Sequence, residues 1–192
     1  MFSVHDLRKM GPSLYRPQLS QWQEKGYIKK VRRGYYVFSD LELNESMLCL
    51  IANRIYAPSY VSFETALSHY GLIPEGVYTV TSATTKKTSR FATPIAQFHY
   101  HTVKPQLFFG YQLEEWRGQQ YKIADIEKTV LDYLYLHPTI SQEADFHEWR
   151  FNSKVFLESA DCKKFQRYAE LFHNTRFSAR AEILLGLIQR NQ

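Results

Sequence analysis

The chain has few of the residues on which several common kinds of protein depend. It has two cysteines among 192 residues, Cys49 and Cys162. Two cysteines are too few for a disulfide framework, so we expect both to be small apolar groups in a reducing compartment. No apolar run approaches the length of a membrane span, and the first residues lack the charged start and long apolar core of a signal peptide. We therefore expect a cytoplasmic protein that does not cross a membrane.

Motifs of common catalytic sites are also missing. The sequence contains no phosphate-binding glycine loop, no zinc-type cysteine cluster and no Gly-x-Ser-x-Gly elbow. His99 and His101 share one face of a predicted strand, but no third metal ligand is evident, so we interpret them as ordinary strand residues. Asp125, Glu127 and Lys128 are the residue types of a nuclease site, yet they begin a helix that Asp125 is expected to cap. We predict no catalytic residue, no metal and no cofactor.

What the chain does have is a packed core and a concentrated positive charge. Apolar residues make up 44% of the sequence and aromatic residues 16%, which is enough for a folded core. Residues 1–40 contain eight lysines and arginines against three acidic residues, whereas residues 41–192 contain sixteen of each. The whole net charge of +5 therefore lies in the first forty residues. Such a concentration favours an acidic partner, of which duplex DNA is the first candidate.

The first forty residues have the pattern of two helices followed by a hairpin. The predicted elements are a helix over Val4–Met10, a helix opened by Ser13 or Tyr15, and strands over Ile28–Val31 and Tyr35–Phe38. Leu19 and Trp22 face inward from the second helix, and Gly26 ends it. Arg32-Arg33-Gly34 has the composition of a hairpin turn. Helices and hairpin in this order predict a winged helix-turn-helix.

In a winged helix-turn-helix, we expect the exposed polar residues to contact DNA. The residues that we assign to DNA contact are Tyr15, Arg16, Gln18, Ser20, Gln21, Lys25, Lys29, Lys30, Arg32 and Arg33. Arg and Gln near the amino end of a helix in the major groove read guanine and adenine edges, while lysines contact phosphates. The two hairpin arginines are expected to enter or grip the minor groove. Two alternatives remain, a protein-interaction module that binds an acidic protein and a metal-dependent nuclease.

The sequence after Asp40 predicts an α+β fold. Helices are predicted over 44–56, 63–70 and 125–136 and near 143–151, 161–173 and 178–190, and β-prone segments over 77–81, 97–103, 107–112 and 120–124. Residues 81–89 are predicted to be a solvated loop. We divide the chain into a winged helix-turn-helix domain over 1–40, a mixed helix-and-sheet domain over 41–140, and a helical part over 141–192 that packs on the second domain.

In order and spacing, the motifs resemble those of the AbiEi-type family of transcriptional regulators, the antitoxins of type IV abortive-infection systems. The matching segments are Gly26-Tyr-Ile, Arg33-Gly-Tyr-Tyr, residues 60–72, Thr81-Ser82, Phe98-His-Tyr-His101 and residues 123–132. The resemblance covers roughly residues 1–137. It implies a repressor that binds its own promoter, counteracts a nucleotidyltransferase-like toxin encoded beside it in phage defence, and needs no cofactor. Family members often have an extra first helix, so here the helix from Asn44 is expected to complete a three-helix unit. Two copies on an inverted repeat, as a homodimer, would double the DNA contacts.

Overall fold

A computed structural model describes residues 1–10 and 16–190 of the chain. Its first part, which we call the amino-terminal unit, comprises the described residues up to Asp40. The elements of this unit are β1 (Phe2–Ser3), α1 (Val4–Met10), α2 (Arg16–Glu24), β2 (Ile28–Arg32) and β3 (Tyr35–Phe38). Helix α1 begins at a reciprocal cap, in which the Asp6 N–H donates to Ser3 Oγ and the Ser3 N–H donates to Asp6 Oδ2.

The small sheet of the amino-terminal unit has the strand order β1-β3-β2 and is antiparallel throughout. Tyr36 and Val37 are adjacent on β3 and therefore point to opposite faces. Tyr36 packs with Leu19 and Ile28 on the face that α1 and α2 cover. Val37 packs with Val31 on the other face. The register shifts between Lys30 and Arg32, so Val31 is an extra residue on β2, a β-bulge.

The remaining residues, 41–190, form what we call the sheet unit. Its first elements are α3 (Glu45–Ile55), β4 (Ser59–Val61), α4 (Phe63–His69), β5 (Thr79–Thr84), β6 (Ser89–Ala92) and β7 (Gln97–Thr102). After a 3-10 turn at Pro105–Leu107 come β8 (Tyr111–Trp116), β9 (Gln119–Ala124), α5 (Ile126–Leu136), α6 (Glu143–Glu148), α7 (Ser153–Ser159), α8 (Cys162–Glu170) and α9 (Thr175–Arg190). The architecture is α+β.

The larger sheet has the strand order β6-β7-β5-β4-β9-β8 and is covered on both faces. Tyr60 and Val61 of the central strand β4 are fully buried and belong to opposite layers of the core. On one face, α3 packs on the sheet and also on Val31 and Val37 of the amino-terminal unit. On the other face lie α4, α5 and the later helices. Helix α3 is therefore the element that joins the two units through a shared core.

Arg180 fixes the carboxy-terminal helix α9 against the end of α5. Its guanidinium donates to the backbone oxygens of Leu134 at 2.7 Å, His137 at 2.6 Å and Ile140 at 2.6 Å. The last carbonyls of a helix have no partner within the helix, so this side chain supplies the hydrogen bonds that α5 lacks at its end. Burial lowers the pKa of Arg180, but the group is a cation at any physiological pH.

The structure confirms the predicted helix over Val4–Met10, the predicted helices over 44–56 and 125–136 as Glu45–Ile55 and Ile126–Leu136, and the hairpin. The side chains of Asn44 and Asp125 cap α3 and α5, as their positions predict. The predicted solvated loop over 81–89 is confirmed over 85–88 and is wrong at its ends, because Thr81–Thr84 are buried residues of the inner strand β5 and Ser89 begins β6. Only two of the six residues of the predicted strand over 107–112 form a strand, since β8 begins at Tyr111. Strands β1, β4 and β6 and helix α7 were not predicted.

Candidate nucleic-acid interface

Helix α2 presents a polar face to solvent. Leu19 is buried and Trp22 is half-buried, whereas Gln18, Ser20 and Gln21 are exposed. The helix ends at Glu24 and is followed by Gly26, whose φ of 71° lies in the left-handed region that glycine adopts without strain. Of the residues assigned to this helix by sequence, Tyr15 lies outside the described residues, and Arg16 is placed by its backbone as the first residue of α2.

Exposed cations follow the edge strand β2 and its turns. Lys25 precedes the strand, Lys29 and Lys30 lie on it, Arg33 lies in the hairpin turn, and all four are exposed. Lys30 pairs with Tyr36 and Lys29 with Val37, so the two lysines belong to the α2 side and the α3 side of the sheet, respectively. The basic side chains therefore flank a strand edge that has no further strand beyond it among the described residues.

Arg32, the ninth of the ten assigned residues, is half-buried. Its Nη1 donates a short hydrogen bond to the carbonyl of Ile55, the last residue of α3. Its guanidinium carbon lies 4.1 Å from the ring centroid of Phe91 and 5.4 Å from that of Tyr56. A helix carboxyl end carries a partial negative charge, which attracts a cation. The Arg32 side chain therefore holds the hairpin against the sheet unit, and its contact with DNA stays a prediction.

Two exposed aromatic side chains were not assigned by sequence. Tyr27 and Phe38 are 61% and 54% exposed and lie at the base of the hairpin, at the opposite end from Arg33. Phe38 stacks loosely on Phe2, with ring centroids 5.2 Å apart. The sequence contained a signal for Phe38, because it follows Val37 on the strand and so points to the opposite face. The sequence could not show that the small core on that face leaves this ring uncovered.

The acidic and basic residues around the start of α5 are paired inside the protein. Lys164 Nζ lies 3.1 Å from Asp125 Oδ2 and 2.8 Å from Glu127 Oε2. Burial lowers the pKa of Lys164, but the hydrogen bonds to Glu127 and Asp125 outweigh it and raise the pKa. Burial raises the pKa of Asp125, opposed by the N–H of Lys128 and by Lys164. Asp125 and Glu127, the carboxylates of the nuclease alternative, thus form ion pairs with Lys164, and Asp125 also caps α5.

The third residue of that alternative, Lys128, belongs to a separate and fully buried cluster. Its ammonium group forms a short ion pair with Asp132, one turn later on α5, and donates to the Tyr60 hydroxyl at 2.9 Å. Tyr60 and Ser62 each donate to Asp132 Oδ2 at 2.8 Å. Burial raises the pKa of Tyr60 well above its ordinary value. Sequence reasoning missed this pair, although the spacing of Lys128 and Asp132 between apolar residues was a signal for it.

His99 and His101 share one face of β7, as their spacing predicts, and both are half-buried. No group of three or more His, Cys, Asp or Glu residues within 1–10 and 16–190 is arranged to hold a metal ion. Over the same residues, no helix combines the length and the apolar character that a bilayer crossing requires. Comparison of the chain with protein-family models and with curated proteins finds no match.

Proposed function

We propose that this protein is a sequence-specific DNA-binding transcriptional repressor of the cytoplasm and that its amino-terminal unit is a winged helix-turn-helix. The observation that carries the proposal is the exposure, in one small unit, of a polar helix face beside a strand edge flanked by cations. The packing of α3 on the hairpin supports a three-helix unit in which α3 takes the third place. The net charge of +5 over residues 1–40 agrees with a polyanionic partner.

The proposal gives separate tasks to the two exposed surfaces. Gln18 and Gln21 on α2 would contact base edges in the major groove, since an amide side chain pairs with adenine through two hydrogen bonds. Lys29, Lys30 and Arg33 would contact phosphates, which orient the protein on the duplex without reading its sequence. These tasks predict different effects of mutation, because only base contacts distinguish one duplex from another.

The experiment is a titration of the purified chain with two fluorescent duplexes, one from its own upstream region and one of random sequence, at several salt concentrations. Joint replacement of Lys29, Lys30 and Arg33 by alanine should weaken binding to both duplexes. It should also reduce the slope of log K against log salt by roughly 0.9 for each phosphate that is no longer neutralised. Gln18→Ala with Gln21→Ala should instead remove preference for the native duplex, by about 1–3 kcal/mol for each base contact.

A matched control replaces three exposed lysines of the sheet unit, Lys104, Lys154 and Lys163, by alanine. It makes the same change in net charge, so a general effect of charge would reduce the salt slope equally in both triple variants. Equal slopes would contradict an interface on the amino-terminal unit. If the unmodified chain binds neither duplex, DNA binding itself is wrong, and a protein-interaction module takes its place.

The family resemblance extends the proposal to an antitoxin that represses its own operon, as a homodimer on an inverted repeat, and counteracts a nucleotidyltransferase-like toxin. The test is the reading frame next to the gene, expressed alone and together with this chain. We expect growth arrest in the first case and its relief in the second. A neighbouring frame of unrelated chemistry, or arrest that this chain does not relieve, would contradict the antitoxin role and leave DNA binding to be judged separately.

A further inference from the structure

The sheet unit contains an open cavity of about 770 Å³, and none of the residues that line it belongs to the amino-terminal unit. Its floor is formed by the exposed sides of β5 and β7, where His99 and His101 lie. Glu64 of α4 and His137, just after α5, form one side, and Trp149 lies on another. We call it the Glu64 cavity. Its volume is within the range of sites that bind small molecules.

Hydrogen-bond acceptors face each other across this cavity. His137 Nδ1 lies 2.9 Å from the carbonyl oxygen of Tyr133, and because a carbonyl only accepts, Nδ1 carries the hydrogen. In the neutral ring, Nε2 is then an acceptor, and it lies 4.0 Å from Glu64 Oε1. Glu64 Oε2 is buried and has no hydrogen-bond partner among the described residues. Because Oε2 is shielded from solvent, a ligand in the cavity reaches the carboxylate through Oε1, and Oε1 together with Nε2 suits a ligand that donates two hydrogen bonds.

The charges of the cavity are of one sign. Glu64, Glu75 and Glu148 contribute to its lining, and no lysine or arginine of the described residues does. Glu75 is partly neutralised by Arg150 outside the lining, whose Nη1 lies 3.4 Å from Glu75 Oε1, so Glu64 and Glu148 contribute most of the negative charge. Burial lowers the pKa of His99 and of His101 from the ordinary value of 6.5, with Arg90 acting in the same direction. Both rings are therefore mostly neutral at pH 7. The cavity attracts cations and repels anions.

Aromatic rings form the wall beside these acceptors. The rings of Tyr133 and Trp149 are stacked, with centroids 4.6 Å apart and an interplanar angle of 9°. The imidazole of His137 lies on Tyr133, with centroids 4.1 Å apart. Trp149 also packs on Phe151, with centroids 4.8 Å apart, so the stack presents mainly ring edges to the cavity. Ring edges beside a carboxylate suit the apolar body of an organic cation, whose charge the carboxylate attracts.

We propose that the Glu64 cavity binds a small organic cation, a primary amine or guanidinium compound with an apolar or aromatic body. Its N–H groups would donate to Glu64 and to His137 Nε2, and its body would lie against the ring stack of Tyr133 and Trp149. A neutral alcohol lacks the charge that Glu64 attracts, and a carboxylate would be repelled. The proposal is independent of DNA binding, because none of these residues belongs to the amino-terminal unit.

The experiment titrates the full-length chain with benzylammonium chloride at pH 7.5 and records heat of binding and the fluorescence of tryptophan. Benzyl alcohol and sodium benzoate are matched probes of the same body with no charge and negative charge. We expect saturable binding of benzylammonium with a change in fluorescence, and binding of the alcohol and of benzoate at least tenfold weaker. Equal affinity for the three probes, or no saturable binding of benzylammonium, would overturn the proposal.

Variants locate the binding site. Glu64→Gln keeps the shape of the side chain and removes its charge, so the affinity for benzylammonium should fall about tenfold or more. Trp149→Phe should abolish the fluorescence change and weaken binding less. The control is Glu115→Gln, at an exposed position on β8, the edge of the sheet opposite to β6. Unchanged affinity in a Glu64→Gln variant that melts like the unmodified chain would overturn the proposal, as would an equal decrease of affinity in Glu64→Gln and Glu115→Gln.

Discussion

The two units differ in the burial of their charged side chains, because among the described residues only the sheet unit has buried charged groups. In the amino-terminal unit, four of the assigned cations are exposed, and Arg32 is half-buried against Ile55, Tyr56 and Phe91 of the sheet unit. In the sheet unit, the charges of Lys128 and Asp132 are both fully buried and satisfy each other with Tyr60 and Ser62. Exposed cations are available to a partner, whereas buried charges contribute to a specific internal geometry.

The two units also differ in the size of their cores. The buried cluster on the helix side of the small sheet consists of Leu19, Ile28 and Tyr36, with partly buried residues packed around it. The sheet unit has two extensive buried layers. Since Val31 and Val37 belong to one of those layers, the amino-terminal unit depends on α3 for part of its stability. The core of the sheet unit therefore helps to stabilise the amino-terminal unit, which has the proposed DNA-binding surface.

The largest effect is expected from comparing two lysine–acid pairs with the same spacing on a helix. Lys128 and Asp132 are fully buried, whereas Lys154 and Glu158 on α7 are 84% and 62% exposed. Lys128→Met leaves Asp132 buried without its cation, so we expect a decrease of about 3–5 kcal/mol in the free energy of unfolding. Lys154→Met should change it by less than about 0.5 kcal/mol. Urea denaturation followed by circular dichroism measures both.

Joint replacement Lys128→Met and Asp132→Leu serves as the control for the buried pair. Because no charge is then left buried, this variant should recover part of the stability that the single replacement removes. Similar costs for Lys128→Met and Lys154→Met would show that burial does not distinguish the two pairs.

An intermediate effect is expected from the two neighbouring arginines of the hairpin. Arg32→Ala removes the hydrogen bond to Ile55 and the contacts with Phe91 and Tyr56, so it should lower the free energy of unfolding by about 1–3 kcal/mol. Arg33→Ala should change stability by less than about 0.5 kcal/mol and should weaken binding to any duplex. Denaturation and duplex titration of both variants separate the roles. Equal stability of the two variants would contradict the function of Arg32 as an anchor between the units.

The smallest effect concerns pH and the histidines of the Glu64 cavity. The folded pKa values of His99 and His101 are lowered, so between those values and the unfolded value near 6.5 the unfolded chain binds more protons. Stability should therefore fall as pH decreases through that window, although Glu64 opposes the shift in both rings. His99→Gln with His101→Gln should flatten the dependence measured by urea denaturation from pH 7.5 to 5.5. His5→Gln, at an exposed position, should leave it unchanged.

Local signals were sufficient for the capped helices and for the hairpin. Asn44 and Asp125 precede runs of apolar residues with helical spacing, and the Gly34 turn separates two β-prone runs, so each element was predicted from its own residues. The loop prediction for 81–89 failed over 81–84 because Thr81, Ser82 and Thr84 are polar but lie on an inner strand. The hydroxyl groups of Thr81 and Thr84 find partners only in the fold, as when Thr81 Oγ1 donates to the Ser62 carbonyl at 2.7 Å. Strand β1 was not predicted, because a strand of two residues is too short to show an alternation of apolar and polar residues.

Charge distribution, helix caps and the exposed polar face of α2 follow from the sequence alone, because each depends on residues close together in the chain. Which charged groups remain free depends instead on the packing of distant segments. Arg32 and Arg33 are equivalent by sequence, yet one lies against the end of α3 and the other lies in solvent. The Glu64 cavity likewise combines side chains from five separate segments. Such placements need the complete fold, in which a side chain is held by partners tens of residues away.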